Sequence, residues 1–228
     1  MKIFGLEKLS MVDYDDKLAC TVFTAGCNFA CPFCHNFDLV NGTRLTEIPE
    51  REVLEYVELR KKMLDGIVIS GGEPTLMPDL ADFAAKIKKI GLSVKLDTNG
   101  SDSKKLVCLV NDGLVDYVAM DVKNSLEKYS QTAGKPVNID EITASINFLK
   151  QNVVPYEFRT TLVKQFHDQK SITDMAQLLD GAQKMFLQKF DDSHGCLQQG
   201  LCAVDKSTAE QFADILSKKI KHVALRGY

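Results

Sequence analysis

The run Gly26-Cys27-Asn28-Phe29-Ala30-Cys31-Pro32-Phe33-Cys34-His35-Asn36 holds three cysteines in the spacing C-x3-C-x2-C. No fourth cysteine lies nearby, whereas structural zinc sites close with four protein ligands and electron-transfer iron–sulfur clusters usually have four cysteines. Three thiolates in one tight loop therefore predict a metal centre with one open position, where a substrate or cofactor can bind. The alternative is three thiols that cluster by chance; in a cytosolic protein such a cluster more often binds metal than forms disulfides.

The composition predicts one globular domain over residues 1–228. The chain is 45% hydrophobic and 26% charged, and single α/β barrels reach this length. The net charge of −3 and the lack of a long basic run argue against a nucleic-acid partner. Without a secretory signal or a bilayer-spanning apolar run, we expect a cytoplasmic protein with no membrane association. Seven cysteines give no disulfide framework, and Cys20 and Cys108 lie in apolar stretches typical of a core.

Strand-like and helix-like patterns alternate along the chain, which predicts βα units and a parallel sheet. The period alone does not separate an open doubly wound sheet from a closed or partial barrel. The predicted strands cover 18–24, 66–70, 92–97, 114–121, 155–163, 184–190 and 221–225. The predicted helices cover 47–64, 79–90, 103–112, 139–151, 171–181 and 207–219.

Polar and glycine-rich residues gather where these strands end, and in α/β folds those ends carry the active site. Lys123 lies two residues after Asp121, so both point the same way along the strand. Taken alone, each motif also has a structural reading, as a glycine turn, an Asn-Gly turn or a surface salt bridge. Arg159 and Gln188 are candidates for cofactor or peptide binding and could equally be structural. The polar and glycine-rich motifs at these strand ends are Ser70-Gly71-Gly72-Glu73-Pro74, Asp97-Thr98-Asn99-Gly100 and Asp121-Val122-Lys123.

The cysteine spacing, followed one βα unit later by Gly-Gly-Glu, resembles the radical S-adenosylmethionine (SAM) superfamily. The resemblance implies an α/β fold, a partial (β/α)6 TIM-like barrel with a short N-terminal β extension. It also implies a 4Fe-4S cluster held by Cys27, Cys31 and Cys34, with SAM chelating the fourth iron. Phe33 would pack over the cluster and the adenosyl group. The segment Ser70-Gly71-Gly72-Glu73 would bind the methionyl amino group.

The segments at Asp97 and Asp121 look like those of the activating enzymes for glycyl radical enzymes. That resemblance implies that Lys123 pairs with the methionyl carboxylate of SAM. It also implies a monovalent cation, Na⁺ or K⁺, held by hard oxygen donors. These cation ligands would be Asp97, Thr98, Asp121 and the carbonyl of Ala119, with Asn99 in the same cofactor-binding segment.

The stretches 5–14, 23–29 and 34–36 and the ending 225–228 are similar to anaerobic ribonucleoside-triphosphate reductase activating proteins. This similarity implies an enzyme, a radical SAM oxidoreductase that cleaves SAM to a 5′-deoxyadenosyl radical. That radical would remove the Cα hydrogen of a glycine in a partner, anaerobic ribonucleotide reductase. The electron donor would be flavodoxin or ferredoxin. The chain departs from the family pattern at Asp15-Asp16, where Pro-Gly is usual, and at Phe37, where proline is usual.

Three alternative functions stay open on the sequence. The partner could be another glycyl radical enzyme of the pyruvate formate-lyase type. The substrate could be a small molecule, as for 7-carboxy-7-deazaguanine synthase, which needs a substrate pocket and often magnesium. The chain could also be an electron carrier or a zinc-stabilised binding protein, which needs a fourth protein ligand. The N-terminal and Asp-x-Lys matches favour the activating enzyme.

Several other cysteines and histidines are candidate ligands. His194, Cys196 and Cys202 form a sparse H-x-C-x5-C pattern that indicates either an auxiliary metal site or a loop with incidental thiols. His35 is expected to hydrogen-bond locally near the cluster. His167 follows a strand and could line the cofactor site, although a lone loop histidine is more often solvated.

Overall fold

The computed structural model describes residues 1–41, 45–193 and 195–228, so His194 lies outside the described residues. The described chain divides into two compact units. The first comprises 1–28, 36–98 and 102–119, and the second comprises 29–35, 99–101 and 120–228. The single domain expected over the whole chain stays a prediction.

The first unit is built on strands β1 to β4 and the first residues of β5. Strands β1 and β2 are antiparallel, whereas β2 pairs with β3 and β3 with β4 in parallel. The register places Thr24 beside Gly71 at the carboxyl ends of β2 and β3. The elements are β1 Gly5–Ser10, β2 Ala19–Thr24, α1 Phe37–Asn41, α2 Glu50–Arg60, β3 Gly66–Gly71, α3 Leu80–Ile90, β4 Ser93–Thr98, α4 Ser103–Asn111 and β5 Tyr117–Asp121.

The second unit contains three parallel strands and their helices. Strand β6 pairs with β7 and β7 with β8, and the register aligns Thr161 with Gln188 and Gln188 with Arg226. Helix α7 begins with a capping box, in which the Asp168 carboxylate accepts from the Ser171 amide. The elements are α5 Tyr129–Ala133, α6 Ile139–Leu149, β6 Tyr156–Leu162, α7 Gln169–Leu178, β7 Lys184–Lys189, α8 Lys206–Ser217 and β8 His222–Arg226.

Each predicted helix has a counterpart in the structure, whereas the short helices α1 and α5 were not predicted. In α3 the buried residues Leu80, Phe83, Ala84 and Ile87 recur at helical spacing. The helix ends at Gly91, which adopts φ +96°, a left-handed conformation that favours glycine. The predicted helix over 47–64 is shorter in the structure, because Pro49 precedes its first residue.

The expectation that Cys20 and Cys108 are both core residues is half right. Cys20 is fully buried on β2, but Cys108 is exposed on α4. Helix α4 buries Leu106, Leu109 and Val110, and a rotation of about 100° per residue turns Cys108 away from that face. In the described parts of the chain, no helix is long and apolar enough to cross a membrane.

The departure at Asp15-Asp16 preserves the geometry of a tight turn. The amide of Lys17 donates to the carbonyl of Tyr14 at 3.1 Å, which closes a four-residue turn. Asp16 occupies its third position with φ +59°, a conformation that glycine adopts without strain. The aspartate pair therefore keeps the backbone path of a Pro-Gly turn at some conformational cost.

Replacing Asp16 by glycine is expected to raise the free energy of unfolding by roughly 0.5–1 kcal/mol, because the strain of a positive φ is removed. Asp15 does not have a positive φ, so Asp15→Gly is the matched control. That control is expected to lower the free energy of unfolding by about 0.5–1 kcal/mol, because glycine frees the unfolded chain. Denaturant unfolding measures both variants, and equal destabilisation of the two would contradict the assigned turn.

Candidate active site

The Gly71-Gly72 pair lies in the first unit, against the backbone that leads into the cysteine loop. The amide of Gly72 donates to Thr24 O and the amide of Glu73 donates to Gly26 O, each at 2.9 Å. A Cβ on Gly72 would lie 2.0 Å from Gly26 O, and one on Gly71 would lie 2.3 Å from Thr24 O. Both contacts exclude any side chain. The two glycines therefore let the loop after β3 join the loop after β2 backbone to backbone.

Glu73 places a fully buried carboxylate beside these glycines. Its Oε1 accepts from the Thr75 amide at 3.1 Å, from Thr75 Oγ1 at 2.6 Å and from Thr98 Oγ1 at 2.7 Å. Lys105 Nζ donates to the carbonyls of Thr75 and Met77, both at 2.6 Å, which fixes the turn after Glu73. The carboxylate is thus held in one orientation, as a buried charge must be.

Asp97 lies at the end of β4 and is tied to β3. Ser70 Oγ donates to Asp97 Oδ2 at 3.1 Å, and Lys95 Nζ lies 3.9 Å from Asp97 Oδ1. Asn36 Nδ2 donates to Gly71 O at 3.3 Å, which connects the residues after the cysteine loop to the same segment. Within the first unit the structure therefore brings together Ser70, Gly71, Gly72, Glu73, Asp97 and Thr98.

The residues that flank the cysteine loop in the first unit explain the departure at Phe37. Cys27 is partly exposed and follows Gly26, whose amide donates to Leu39 O at 2.9 Å. Phe37 is the first residue of α1. Proline is favoured at that position because the first amide of a helix needs no intrahelical acceptor, so another residue fits there as well.

The other two cysteines belong to the second unit. The amide of Cys34 donates to Cys31 O at 3.0 Å, which folds Cys31 to Cys34 into a turn. The amide of Ala30 donates to Ala133 O at 2.8 Å, and a Cβ on Gly134 would lie 2.1 Å from Ala30 O. Helix α5 therefore packs closely against the start of this turn.

Phe33 is buried inside the second unit, with its ring centroid 6.1 Å from that of Phe166. Its predicted packing over a cofactor stays a prediction. Over residues 1–41, 45–193 and 195–228, no group of three or more His, Cys, Asp or Glu side chains is arranged to hold a metal ion.

Asp121, Lys123 and Arg159 form an ion network in the second unit. Arg159 Nε lies 2.9 Å from Asp121 Oδ1, and Lys123 Nζ lies 3.1 Å from Asp121 Oδ2. Burial acts to raise the pKa of Asp121, but the two cations outweigh it and hold that pKa well below its usual range. Burial acts to lower the pKa of Lys123, but the Asp121 carboxylate outweighs it and raises that pKa. The network is therefore fixed in its charged form.

The Cys31 thiol is close enough to this network to be influenced by it. Burial raises the pKa of Cys31, and the positive charge of Lys123 offsets part of that rise. A buried thiol is a soft ligand once it is deprotonated, and deprotonation is favoured by metal binding. The chemistry of this donor fits an iron–sulfur centre.

Of the two alternatives for His167, the solvated histidine is wrong, and a place lining the cofactor site stays a prediction. His167 is 4% exposed, and burial lowers its pKa. Its Nδ1 lies 3.1 Å from the Val163 amide and its Nε2 lies 3.0 Å from the carbonyl of Lys123. An Nε2–H tautomer satisfies both contacts, because Nδ1 then accepts and Nε2 donates. His167 therefore holds the backbone of Lys123, whereas His35 is exposed.

For Asn99 and Gln188 the structure gives a local turn and a strand position, respectively. Asn99 is buried, and its Oδ1 accepts from the Ser101 amide at 2.9 Å, so a local turn is built on it. Gln188 lies on β7 between Thr161 and Arg226 in the register. Their roles in cofactor binding stay predictions.

The loop before α8 carries the two remaining cysteines. Cys196 Sγ donates to Gln198 O at 2.9 Å, and the Gln198 amide donates to Pro32 O at 2.9 Å. The amide of Cys202 donates to Gln165 Oε1 at 3.0 Å. These local bonds order the loop, and an auxiliary metal there stays untested because His194 lies outside the described residues.

Four polar residues that the sequence argument missed support the site. Lys95 and Lys105 belong to the first unit, and Asn124 and Thr132 belong to the second. Asn124 is fully buried, and its Nδ2 donates to Thr132 Oγ1 and Phe166 O, both at 2.9 Å. Lys95 alone carried a usable signal, since it lies between Val94 and Leu96 and two residues before Asp97 on the same face of the strand.

The chain is similar to known proteins in sequence and in fold. The model of the radical SAM superfamily matches residues 21–178. A Methanocaldococcus jannaschii protein, provisionally named a glycyl-radical enzyme activating enzyme, is 31% identical over 98% of this chain and 95% of its own length. The pyruvate formate-lyase-activating enzyme of Staphylococcus aureus is 29% identical over 74% of this chain and 70% of its own length.

Among solved structures, Streptococcus suis SuiB bound to S-adenosylmethionine superposes with a TM-score of 0.71 at 12% identity. The match covers 90% of this chain and 49% of SuiB. At that identity the likeness shows the fold alone, and it confirms the predicted α/β fold class.

Replacing Gly72 by alanine is expected to lower the free energy of unfolding by roughly 1–3 kcal/mol, because the new Cβ meets the fixed carbonyl of Gly26. Gly113→Ala is the control, since a Cβ there has nothing within 4 Å and meets only the strain of φ +67°. That strain costs about 1 kcal/mol. Denaturant unfolding compares the two, and a Gly72→Ala variant no less stable than Gly113→Ala would contradict the close backbone contact.

Proposed function

The chain belongs to the radical SAM superfamily and, within it, to the glycyl-radical enzyme activating enzymes, and from this membership we propose its reaction. It is an enzyme that binds a 4Fe-4S cluster and SAM and forms a glycyl radical on a partner enzyme. Anaerobic ribonucleoside-triphosphate reductase is the proposed partner. Flavodoxin or ferredoxin is the proposed electron donor.

The observation that carries the proposal is the backbone junction at Gly26, Gly72 and Glu73. It joins the loop that begins the cysteine motif to a segment with a buried, oriented carboxylate. A glycine turn with only a structural role would not need a fully buried Glu73. An amino acid moiety such as that of SAM offers the ammonium group that such a carboxylate recognises.

The residues present fit the cluster and SAM. Cys27, Cys31 and Cys34 are soft donors, and the spacing leaves one iron for SAM. When bound, the reduced cluster supplies the electron that breaks the C5′–S bond of SAM homolytically. The cofactors carry this chemistry, and the chain binds, orients and shields them.

We assign the chain's own groups as follows. Glu73 orients the methionyl ammonium group, and the Thr98 and Thr75 hydroxyls keep its carboxylate in place. Lys123 binds the methionyl carboxylate as cation to anion. Asp121 holds Lys123 in its charged form, and Arg159 pairs with the other oxygen of the same carboxylate. His167 fixes the carbonyl of Lys123. Cys31 would hold iron as a thiolate, so metal binding would require this thiol, whose pKa burial raises, to lose its proton.

The proposed identity of the partner is based on sequence resemblance. The N-terminal segment and the ending of the chain are similar to activating proteins of anaerobic ribonucleotide reductase. The two relatives described above carry names that refer to glycyl-radical enzymes and to pyruvate formate-lyase. The names of the relatives support the class of partner, and the similarity of the two terminal segments supports its identity.

A monovalent cation at Asp97, Thr98, Ala119 and Asp121 stays a prediction. Two of these side chains already have partners, since Thr98 donates to Glu73 and Asp97 accepts from Ser70. The buried Asp97 Oδ1 accepts no hydrogen bond from the described residues, and it is the oxygen of this carboxylate that an ion would contact.

The experiment mixes the reduced, cluster-loaded protein with SAM and with anaerobic ribonucleotide reductase or pyruvate formate-lyase from one organism. We expect one 5′-deoxyadenosine per glycyl radical, measured by chromatography and electron paramagnetic resonance, with the reductase as partner. A Cys34→Ala variant is expected to lose both products. Cys108→Ala is its matched control and is expected to keep both, because Cys108 is exposed on α4.

Each other outcome contradicts a defined part of the proposal. A glycyl radical on pyruvate formate-lyase alone would overturn the identity of the partner. Formation of 5′-deoxyadenosine without a radical on either partner would favour a small-molecule substrate. No 5′-deoxyadenosine from a cluster-loaded protein would overturn the reaction itself.

A further inference from the structure

Lys95 is a buried lysine in the strand that ends at the cofactor segment. It lies on β4 two residues before Asp97, so both side chains project from the same face of the strand. The residue is 2% exposed. A buried ammonium group is costly unless its surroundings replace the lost water. The groups around Lys95 must therefore stabilise its buried positive charge.

Those groups form a cage that suits a cation. Lys95 Nζ donates to the carbonyl of Asp13 at 2.5 Å and lies 3.9 Å from Asp97 Oδ1. It also lies 5.4 Å from the ring centroid of Tyr117 and 5.9 Å from that of Tyr14, within the range of cation–π attraction. A carbonyl, a carboxylate and two aromatic faces thus stabilise one positive charge beside Asp97.

The segment that supplies this cage is itself anchored in the first unit. Thr21 Oγ1 donates to Asp13 Oδ2 at 2.6 Å, and the Tyr14 and Tyr117 rings pack with centroids 5.6 Å apart. Tyr14 and Tyr117 are both buried. The ammonium group of Lys95 is therefore a fixed charge rather than a side chain that can swing away to make room for an ion.

A free monovalent cation at Asp97 fits poorly beside this charge. An ion bound to the Asp97 carboxylate would face the ammonium group of Lys95 in a site of low dielectric, where like charges repel strongly. Asp97 Oδ2 accepts from Ser70, whereas the buried Asp97 Oδ1 accepts no hydrogen bond within the described part of the chain and has the Lys95 ammonium group 3.9 Å away. Lys95 therefore already places a positive charge beside the oxygen that the expected Na⁺ or K⁺ would contact.

We propose that Lys95 is a positioning residue that supplies, from within the chain, the positive charge expected from a monovalent cation at Asp97. It acts through Asp97, and the cofactor site consequently needs no added Na⁺ or K⁺. This inference rests on the proposed function only insofar as Asp97 belongs to the SAM site.

The first arm of the test uses the wild-type protein. K⁺ replaces tetramethylammonium, an ion too large for a tight oxygen site, at constant ionic strength. We expect the thermal unfolding midpoint to be the same in both salts, because a cation bound only to the native state would raise it. We also expect the SAM dissociation constant of the cluster-loaded protein to differ by less than about twofold. K⁺-specific stabilisation or tighter SAM binding in K⁺ would overturn the inference.

The second arm uses Lys95→Met, which keeps the length of the side chain and removes its charge. In tetramethylammonium we expect SAM affinity to fall by about tenfold, and K⁺ to restore much of it by occupying the vacated charge site. Lys17→Met is the matched control, because Lys17 Nζ lies 4.6 Å from the same Tyr14 ring and donates to Ser93 Oγ at 2.6 Å. We expect this control to bind SAM as the wild type does.

The outcomes separate this inference from the proposed function. Unchanged SAM affinity in Lys95→Met, with or without K⁺, would overturn the role of Lys95 while leaving the reaction intact. A wild-type protein that forms no 5′-deoxyadenosine would overturn the proposed function, whereas the unfolding measurement tests for a cation site without SAM. Should Lys95→Met fail to fold, the comparison of K⁺ with tetramethylammonium in the wild-type protein still tests whether the site needs an added cation.

Discussion

The backbone of the loop after β3 lies directly on the backbone of Gly26, and this contact fixes the first unit's share of the site. It exists because Gly72 has no Cβ, since a methyl group there would lie 2.0 Å from the Gly26 carbonyl. The contact fixes the position of Gly26, which precedes Cys27, and the position of Glu73. The hydroxyls of Thr75 and Thr98 then hold the Glu73 carboxylate, and Lys105 holds the turn that follows it.

In each unit, an aspartate of the candidate site lies beside a cationic side chain of the same unit, so its charge is oriented before a ligand binds. Asp121 is held between Arg159 and Lys123 in the second unit, and Asp97 has Lys95 beside it in the first. Preorganised charges of this kind stabilise a bound zwitterion without the cost of reorienting water. The methionyl group of SAM is such a zwitterion, so the charges fixed within each unit are consistent with the proposed function.

Much of the fold and of the candidate site follows from the sequence, because apolar periodicity and local motif spacing are both short-range signals. The helical spacing of α3 and the Gly91 stop are of this kind, and so is the Gly71-Gly72-Glu73 segment. The environment of His167 was not accessible in this way, because its burial depends on contacts with Lys123 and Val163. Cys108 shows the converse, since an apolar neighbourhood in sequence does not fix which side of a helix a residue faces.

The central claim is that three cysteines hold an iron–sulfur cluster with one iron open to SAM. Electron paramagnetic resonance of the anaerobic, reduced and iron-reconstituted protein, recorded with and without SAM, tests it most directly. The account predicts a 4Fe-4S signal whose line shape changes when SAM is added. A cluster signal that is indifferent to SAM, or no cluster in the presence of intact Cys27, Cys31 and Cys34, would contradict it.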